Sequence, residues 1–245
     1  MTGPGPLSPG PLVGLGIMAK YPVPGRAKTR LLAALTPEQA AGVQGVFLCH
    51  VWRRLRETFS LARLVTFCDP PDEVGRMAVL LGGAGGGAAS VRPQVLGDLG
   101  HRLAAACDAF AEPDGRGRGA VLIVGTDSPD VPREHLLGAA ALTGGADVVL
   151  GPTDDGGFWC LGMGPTVDAG RLLAGIDWSS GRERGQVLER ASQLGYKLAL
   201  AAGWDDVDHP PDLRRLVHRL ARSGRDEDRQ LLDALRPALP EGFPT

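Results

Sequence analysis

The sequence has no asparagine, three lysines at positions 20, 28 and 197, and almost no net charge, with 26 basic residues against 28 acidic ones. Near-neutrality excludes the global positive field expected of a protein that binds nucleic acid non-specifically, and points to small substrates. The four cysteines, Cys49, Cys68, Cys107 and Cys160, lie far apart without a CxxC pair, which excludes a zinc knuckle and a dense disulfide framework. Long hydrophobic runs are missing too. The first apolar stretch, Leu12 to Ala19, is short, is broken by Gly14 and Gly16, and has no basic residue before it, so it neither spans a bilayer nor makes a signal peptide. A reducing cytoplasm is the expected compartment. The five histidines lack metal-ligand spacing, and GxGxxG, Walker and GxSxG patterns are all absent.

What is present is enough chain for one sizeable core: 245 residues at 43% hydrophobic content, with 36 glycines. Residues 1–11 are Gly- and Pro-rich without periodicity and read as a disordered leader. From Leu12, short apolar runs alternate with helical patterns, and residues 12–222 read as one domain followed by a C-terminal helix and tail over 223–245. Strands are expected at Leu12–Met18, Arg63–Cys68, Val91–Val95, Ala120–Gly125, Asp147–Leu150 and Lys197–Ala201. Helices are expected over about 36–59, 72–81, 99–111, 132–142, 183–194 and 210–222, the first signalled by a Thr-Pro-Glu-Gln capping box. The glycines at 82–87 read as a low-complexity loop. Strands spaced by helices imply a doubly wound α/β fold, a mainly parallel sheet with helices on both faces. In such a sheet, ligands bind at the carboxyl ends of the strands.

Polar motifs follow the strands as that rule requires. The loop after the first strand places Lys20, Arg26, Lys28 and Arg30 within eleven positions around a Pro-Gly turn at Gly25, with Thr29 beside them. It reads either as a cradle for a polyphosphate or as a solvated basic loop. Lysine kept in an arginine-biased chain favours a specific task, because a compact point charge is not interchangeable with a guanidinium. Asp127, directly after the strand AVLIV, is placed to hold Mg²⁺ or Mn²⁺, and Asp130 reads as a cap for the next helix. Asp154 and Asp155, with Gly156 and Gly157, read as acceptor-orienting, metal-assisting or base carboxylates, or as an ordinary hairpin turn before a strand at 158–163. Asp208 reads as a second metal ligand or as a helix cap. Asp98 reads as a site-edge residue or a helix N-terminus, and Trp178 and Ser179 as an acceptor wall or, for the tryptophan, core.

The order of these motifs, Lys-x-Pro-x-Pro-Gly-x-x-Lys-Thr-Arg-Leu, Gly-Asp-Leu-Gly-x-Arg, Gly-x-Asp-x-Pro, Asp-Asp-Gly-Gly and Asp-Val-Asp, resembles the glycosyltransferase-A-like family of nucleotide-diphospho-sugar transferases over about residues 12–217. His209 stands where related sequences often carry threonine. The resemblance implies kinship with 2-phospho-L-lactate and molybdenum cofactor guanylyltransferases, a basic loop that holds a triphosphate, and Mg²⁺ on Asp127 and Asp208. Taken with the reading of the residues themselves, Lys28, Asp127 and Asp155 are the expected catalytic residues, and Lys20, Gly25, Lys28, Thr29, Arg30 and Asp98 are expected around the nucleotide phosphates. Asp154, Gly156, Gly157, Trp178 and Ser179 would meet the acceptor.

The expected reaction is nucleotidyl transfer from a nucleoside triphosphate to a small anionic or phosphorylated acceptor, because three basic groups on one loop suit a triphosphate. Glycosyl transfer from a nucleotide sugar is the alternative, and a non-catalytic nucleotide-binding module the third. No nucleic-acid or membrane partner is expected, and a homodimer is the prior for an enzyme of this size.

Overall fold

A computed structural model describes residues 12–85, 88–111 and 119–243. The expected leader, and the Gly86 and Gly87 end of the glycine run, lie outside them. The strands are β1 (Leu12–Lys20), β2 (Arg63–Asp69), β3 (Val91–Pro93), β4 (Ala120–Val124), β5 (Val148–Pro152), β6 (Phe158–Met163) and β7 (Leu198–Leu200). The helices are α1 (Pro37–Thr58), α2 (Val74–Gly85), α3 (Leu99–Asp108), α4 (Arg133–Leu142), α5 (Ala169–Leu173), α6 (Glu183–Gln193), α7 (Pro210–Arg222) and α8 (Asp226–Leu235). The fold is the expected α/β type; the short helix α5 was not among the expected elements, and the glycine run differs. Gly82–Gly85 continue α2 instead of forming a loop, because Met77 and Leu81 on its inner face are fully buried and hold the helix to the sheet.

The strands form one sheet in the order β3-β2-β1-β4-β6-β5-β7. All the pairings are parallel except the two made by β6, which runs antiparallel between β4 and β5. The β5–β6 connection is too short for a crossover, so β6 returns as a hairpin, the alternative that the Asp-Gly sequence offered. Central strands such as AVLIV are apolar throughout because helices cover both faces. On one face Leu48, Val51 and Leu55 of α1 pack with Met77, Leu81 and Leu136 over Leu15 and Leu122. On the other, Leu103, Cys107 and Phe110 meet Leu172 and Val187 over Val65 and Val121. Helix α1 starts as its sequence predicts. The Thr36 hydroxyl accepts from the Gln39 N–H at 3.2 Å, and the Gln39 side chain accepts from the Thr36 N–H at 2.9 Å. No described helix is long and apolar enough to cross a membrane, and no disulfide links the four cysteines.

A third core fixes the C-terminal helices. Phe47 and Val43 of α1 pack against Leu213, Leu216 and Val217 of α7 and Leu231 and Leu235 of α8. Helix α7 in turn anchors the acidic segment that precedes it. Arg219 Nε donates to Asp130 Oδ2 at 2.6 Å and its Nη1 donates to Asp205 Oδ2 at 2.9 Å, while Trp204 Nε1 donates to Asp130 Oδ1 at 3.0 Å. Asp130 is thus a buried tie between two loops, not the cap of α4; Pro132 occupies that cap position without a side-chain bond. The reason is burial: at 1% exposure the carboxylate must be paired, and Arg219 lies within reach.

Two predictions follow from these buried groups. Arg219→Ala leaves Asp130 buried without its cation and is expected to cost about 3–5 kcal/mol in denaturant unfolding. His50 in α1 is 3% exposed with neither ring nitrogen hydrogen-bonded. Burial, with Arg54 and Arg53 nearby, holds its imidazole down at about 3. The unfolded chain therefore binds a proton below pH 6.5 that the folded chain refuses, so stability from this group is full above 6.5 and falls with pH, by ~2 kcal/mol at pH 5. His50→Leu is expected to remove that part of the loss, read as the difference between the two proteins' unfolding profiles from pH 7 to pH 5.

Candidate active site

The loops that follow β1, β4, β5 and β7 meet at one rim of the sheet. After β1 the chain turns at Gly25, φ 73°, with the Ala27 N–H on the Val23 carbonyl at 3.1 Å, and buried Ala27 and Leu31 pin the loop from beneath. Between those anchors Lys28 adopts left-handed backbone, φ 48°, which directs its side chain under the rim. Its ammonium donates to the Val207 carbonyl at 2.6 Å, pairs with Asp127 Oδ1 at 2.7 Å, and lies 3.7 Å from Asp208 Oδ1. The side chain is 5% exposed and its ammonium sits 5.5 Å from the Phe47 ring centroid. Arg30 Nη1 binds Asp208 Oδ2 at 2.5 Å. Lys28 and Arg30, read from sequence as phosphate cations, are thus both engaged by carboxylates of other loops.

Asp127 stands where its motif suggests, immediately after β4. Its Oδ1 also accepts from the Thr126 hydroxyl at 3.2 Å, and its backbone carbonyl accepts from the Val207 N–H at 2.8 Å. Buried Gln44, from α1, donates to Thr126 Oγ1 at 3.2 Å and to the Lys20 carbonyl at 3.0 Å, joining the β1 and β4 loops. Nothing in the sequence marked Gln44, which sits in the middle of a helix. Asp208 does not cap α7 with its side chain. That role falls to Asp212, whose Oδ2 accepts from the His209 N–H at 2.7 Å and the Asp208 N–H at 3.1 Å, leaving the Asp208 carboxylate turned to the basic loop.

Asp206 joins the same cluster without having been singled out from the sequence. Burial, reinforced by the Asp155, Asp208 and Asp127 carboxylates, pushes its carboxyl up to about 6. The signal was available in the alternation of Asp206-Val207-Asp208: the two aspartates line the cleft while buried Val207 between them packs inward. In the β5–β6 turn, Asp155 Oδ1 accepts from the Thr153 hydroxyl at 2.5 Å and the Gly157 N–H at 2.9 Å. Gly156, φ 92°, lies so close to the 177–182 loop that a Cβ would stand 1.9 Å from the Gly181 carbonyl oxygen, so only glycine fits there.

The cleft between these loops has two confluent lobes of about 420 and 640 Å³. The first is bordered by Lys20, Arg26, Lys28, Thr29, Arg30 and Gln94; the second by Asp155, Gly157, Trp178, Ser179, Glu183 and Asp206. Asp127 and Asp208 border both. Four residues read as site candidates are not among its walls: Gly25, Asp98, Asp154 and Gly156. Asp98 instead caps α3, accepting from the His101 N–H at 2.8 Å, and its neighbour Leu99 faces both lobes. Trp178 is part wall and part packing. It meets Phe158 edge-on at 6.4 Å, and a Cβ on Gly100 would stand 2.9 Å from its Nε1.

Asp127 and Asp208 offer hard oxygen donors beside the Lys28 ammonium, at 2.7 and 3.7 Å from it. Among the described residues no group of three or more potential ligands is assembled. The pair fits a cation such as Mg²⁺, which takes one or two carboxylates and fills its remaining positions from water and substrate phosphates.

Comparison with known proteins agrees with this architecture. A candidate nucleotide-diphospho-sugar transferase from Desulfovibrio desulfuricans G20 superposes with a TM-score of 0.74 at 23% identity, over 94% of this chain and 99% of its own. A cytidylyltransferase from Leptospira borgpetersenii superposes with a TM-score of 0.57 at 14% identity, over 92% of this chain and 94% of its own. A nucleotidyl transferase from Methanothermobacter thermautotrophicus gives 0.55 at 15% identity, over 87% and 100%. No curated protein matches the sequence. The model of the family DUF2064, "uncharacterized protein conserved in bacteria", matches residues 56–180, just over half of the chain. The chain therefore belongs to that bacterial family and is built on the nucleotide-diphospho-sugar transferase fold.

Proposed function

We propose that this protein is a divalent-metal-dependent transferase acting on a nucleotide polyphosphate, and that its reaction is nucleotidyl transfer with release of pyrophosphate. The observation that carries the proposal is the meeting of Lys28, Asp127 and Asp208, from three loops distant in sequence, at the border of the cationic lobe. A solvated basic loop would have no reason to bury an ammonium between two carboxylates, since an exposed ion pair contributes little. The nucleotidyl-transferase folds among the similar structures point the same way.

In this mechanism Lys20 and Arg26 take the outer phosphates, while Lys28 and Arg30 hold the two carboxylates in place and balance charge as it develops. When bound at Asp127 and Asp208, Mg²⁺ or Mn²⁺ would screen the phosphates and stabilise the leaving pyrophosphate. The acceptor oxygen forms a bond to the α-phosphorus, the bridging P–O bond to the β-phosphate breaks, and its electron pair departs with pyrophosphate. Asp155, in the adjoining lobe, takes the acceptor's proton. Glycosyl transfer from a nucleotide sugar is the second reading, favoured by the similarity to the Desulfovibrio protein.

A thermal-shift panel of nucleoside triphosphates and nucleotide sugars, each with and without Mg²⁺ or Mn²⁺, separates them. A ligand at 100 times its dissociation constant adds about 2.7 kcal/mol, a rise of roughly 5–10 °C for a domain of this size. Nucleotidyl transfer is expected to show metal-dependent shifts with triphosphates, and glycosyl transfer with sugar nucleotides. Asp127→Ala is expected to abolish the metal dependence; its survival, or the lack of any shift across the panel, refutes the proposal.

A further inference from the structure

The two lobes of the cleft differ in charge. Lys20, Arg26, Lys28 and Arg30 border the first against Asp69, Asp127 and Asp208. The second has Asp127, Asp155, Glu183, Asp206 and Asp208 against Lys20 and Arg30 alone. Those two cations lie on the shared border, and Arg30 is already bonded to Asp208 at 2.5 Å. Lys28, Arg30 and any divalent cation at Asp127 and Asp208 would balance those two shared carboxylates, whereas the charged residues that border the second lobe alone, Asp155, Glu183 and Asp206, are all acidic. Nearby guanidinium groups are engaged elsewhere: Arg184 Nη1 donates to the Thr153 carbonyl at 2.7 Å, and Arg182 pairs with Asp177 at 2.5 Å. A phosphate or carboxylate entering this lobe would meet the like charge of Asp155, Glu183 and Asp206, while the cations among its described walls, Lys20 and Arg30, stand on the border with the first lobe; such juxtaposition is how a site rejects a wrong ligand.

What the lobe does offer suits hydroxyl groups. Asp155 is fixed through Oδ1 by Thr153 and Gly157, which leaves Oδ2 to accept from outside. Ser179 is held on the wall in left-handed backbone, φ 63°, a conformation that costs a non-glycine residue energy and so is retained where position matters. Trp178 and Phe158, both half-buried, supply flat apolar surface beside these acceptors. At about 640 Å³ the lobe lies in the range of small-molecule sites.

We propose that the second lobe takes an uncharged, hydroxyl-rich acceptor, a polyol or sugar ring without phosphate or carboxylate, in place of the anionic acceptor expected from the sequence. The inference rests on the first lobe holding the nucleotide's phosphates. Carboxylates then receive the ring hydroxyls, the aromatic wall meets its C–H faces, and charge selects against phosphorylated versions of the same ring.

The test uses the full chain with matched probes: glucose and myo-inositol, each beside its monophosphate, followed by saturation-transfer NMR and by tryptophan fluorescence, with and without Mg²⁺ and inorganic tripolyphosphate. Tripolyphosphate fills the first lobe without assuming a base, and its own metal-dependent thermal shift reports on the nucleotide reading separately. The neutral rings are expected to bind on the order of tenfold more tightly than their phosphates. Asp155→Asn, which keeps an oxygen for the Gly157 N–H but removes the charge, is expected to narrow that gap, and Trp178→Phe to diminish the fluorescence response while the NMR signal persists. Equal or tighter binding of the phosphates, or a gap untouched by Asp155→Asn, overturns the inference. So does the failure of every ring to bind protein that does bind tripolyphosphate. If tripolyphosphate does not bind, the reading of the first lobe fails, and the preference for neutral rings stands or falls on the arm measured without it.

Discussion

One buried ammonium organises the rim. The Lys28 side chain passes beneath the cleft and ends among the Val207 carbonyl, Asp127 and Asp208. Without it, the loops after β1, β4 and β7 would each present charge to solvent independently, and the two carboxylates would repel one another unscreened. An arginine would not do the same work, because its planar fork cannot fit where a single point charge meets three oxygens from different directions. Its left-handed backbone and the buried Ala27 and Leu31 on either side are the local structure that this placement requires.

Around that contact the protein separates rigid support from chemistry. Arg219 and Trp204 hold Asp130, and Asp205 turns to the same arginine, so the acidic segment is fixed by groups that do not line the cleft. Asp206 and Asp208 are left to face the cavity. Burial first and the neighbouring carboxylates second raise Asp206, and the third core of α1, α7 and α8 supplies apolar burial against that unfavourable charge. Catalytic and binding sites commonly concentrate such unfavourable charge in places where a scaffold can hold it.

Much of the architecture was legible because its signals are local. The Thr36 capping box, the apolar AVLIV strand and the Gly-Asp-Leu-Gly helix start all specify structure within a few residues. Position after a strand was enough to select Asp127, Asp155 and Asp208. Partners were another matter. Nothing near Asp130 in sequence indicates Arg219, 89 residues away, so a cap was the natural expectation; Lys28 and Arg30 looked like free cations for the same reason, since their carboxylates come from elsewhere in the chain. Gln44 gave no signal at all, being one polar residue on a helix whose role depends on what the sheet brings above it. The antiparallel β6 was visible as a hairpin, but its insertion between β4 and β5 is a property of the whole sheet.

The contact from Arg30 to Asp208 spans 178 positions of the chain. Pairings so remote incur the loop-closure entropy of nearly the entire polypeptide before they are made. During synthesis, a chain that has not yet emitted Asp208 lacks the carboxylate that meets Lys28 and Arg30, and with it part of the cleft wall. The rim is therefore completed late, when the segment that precedes α7 takes its place beside the basic loop and α7 and α8 dock on α1.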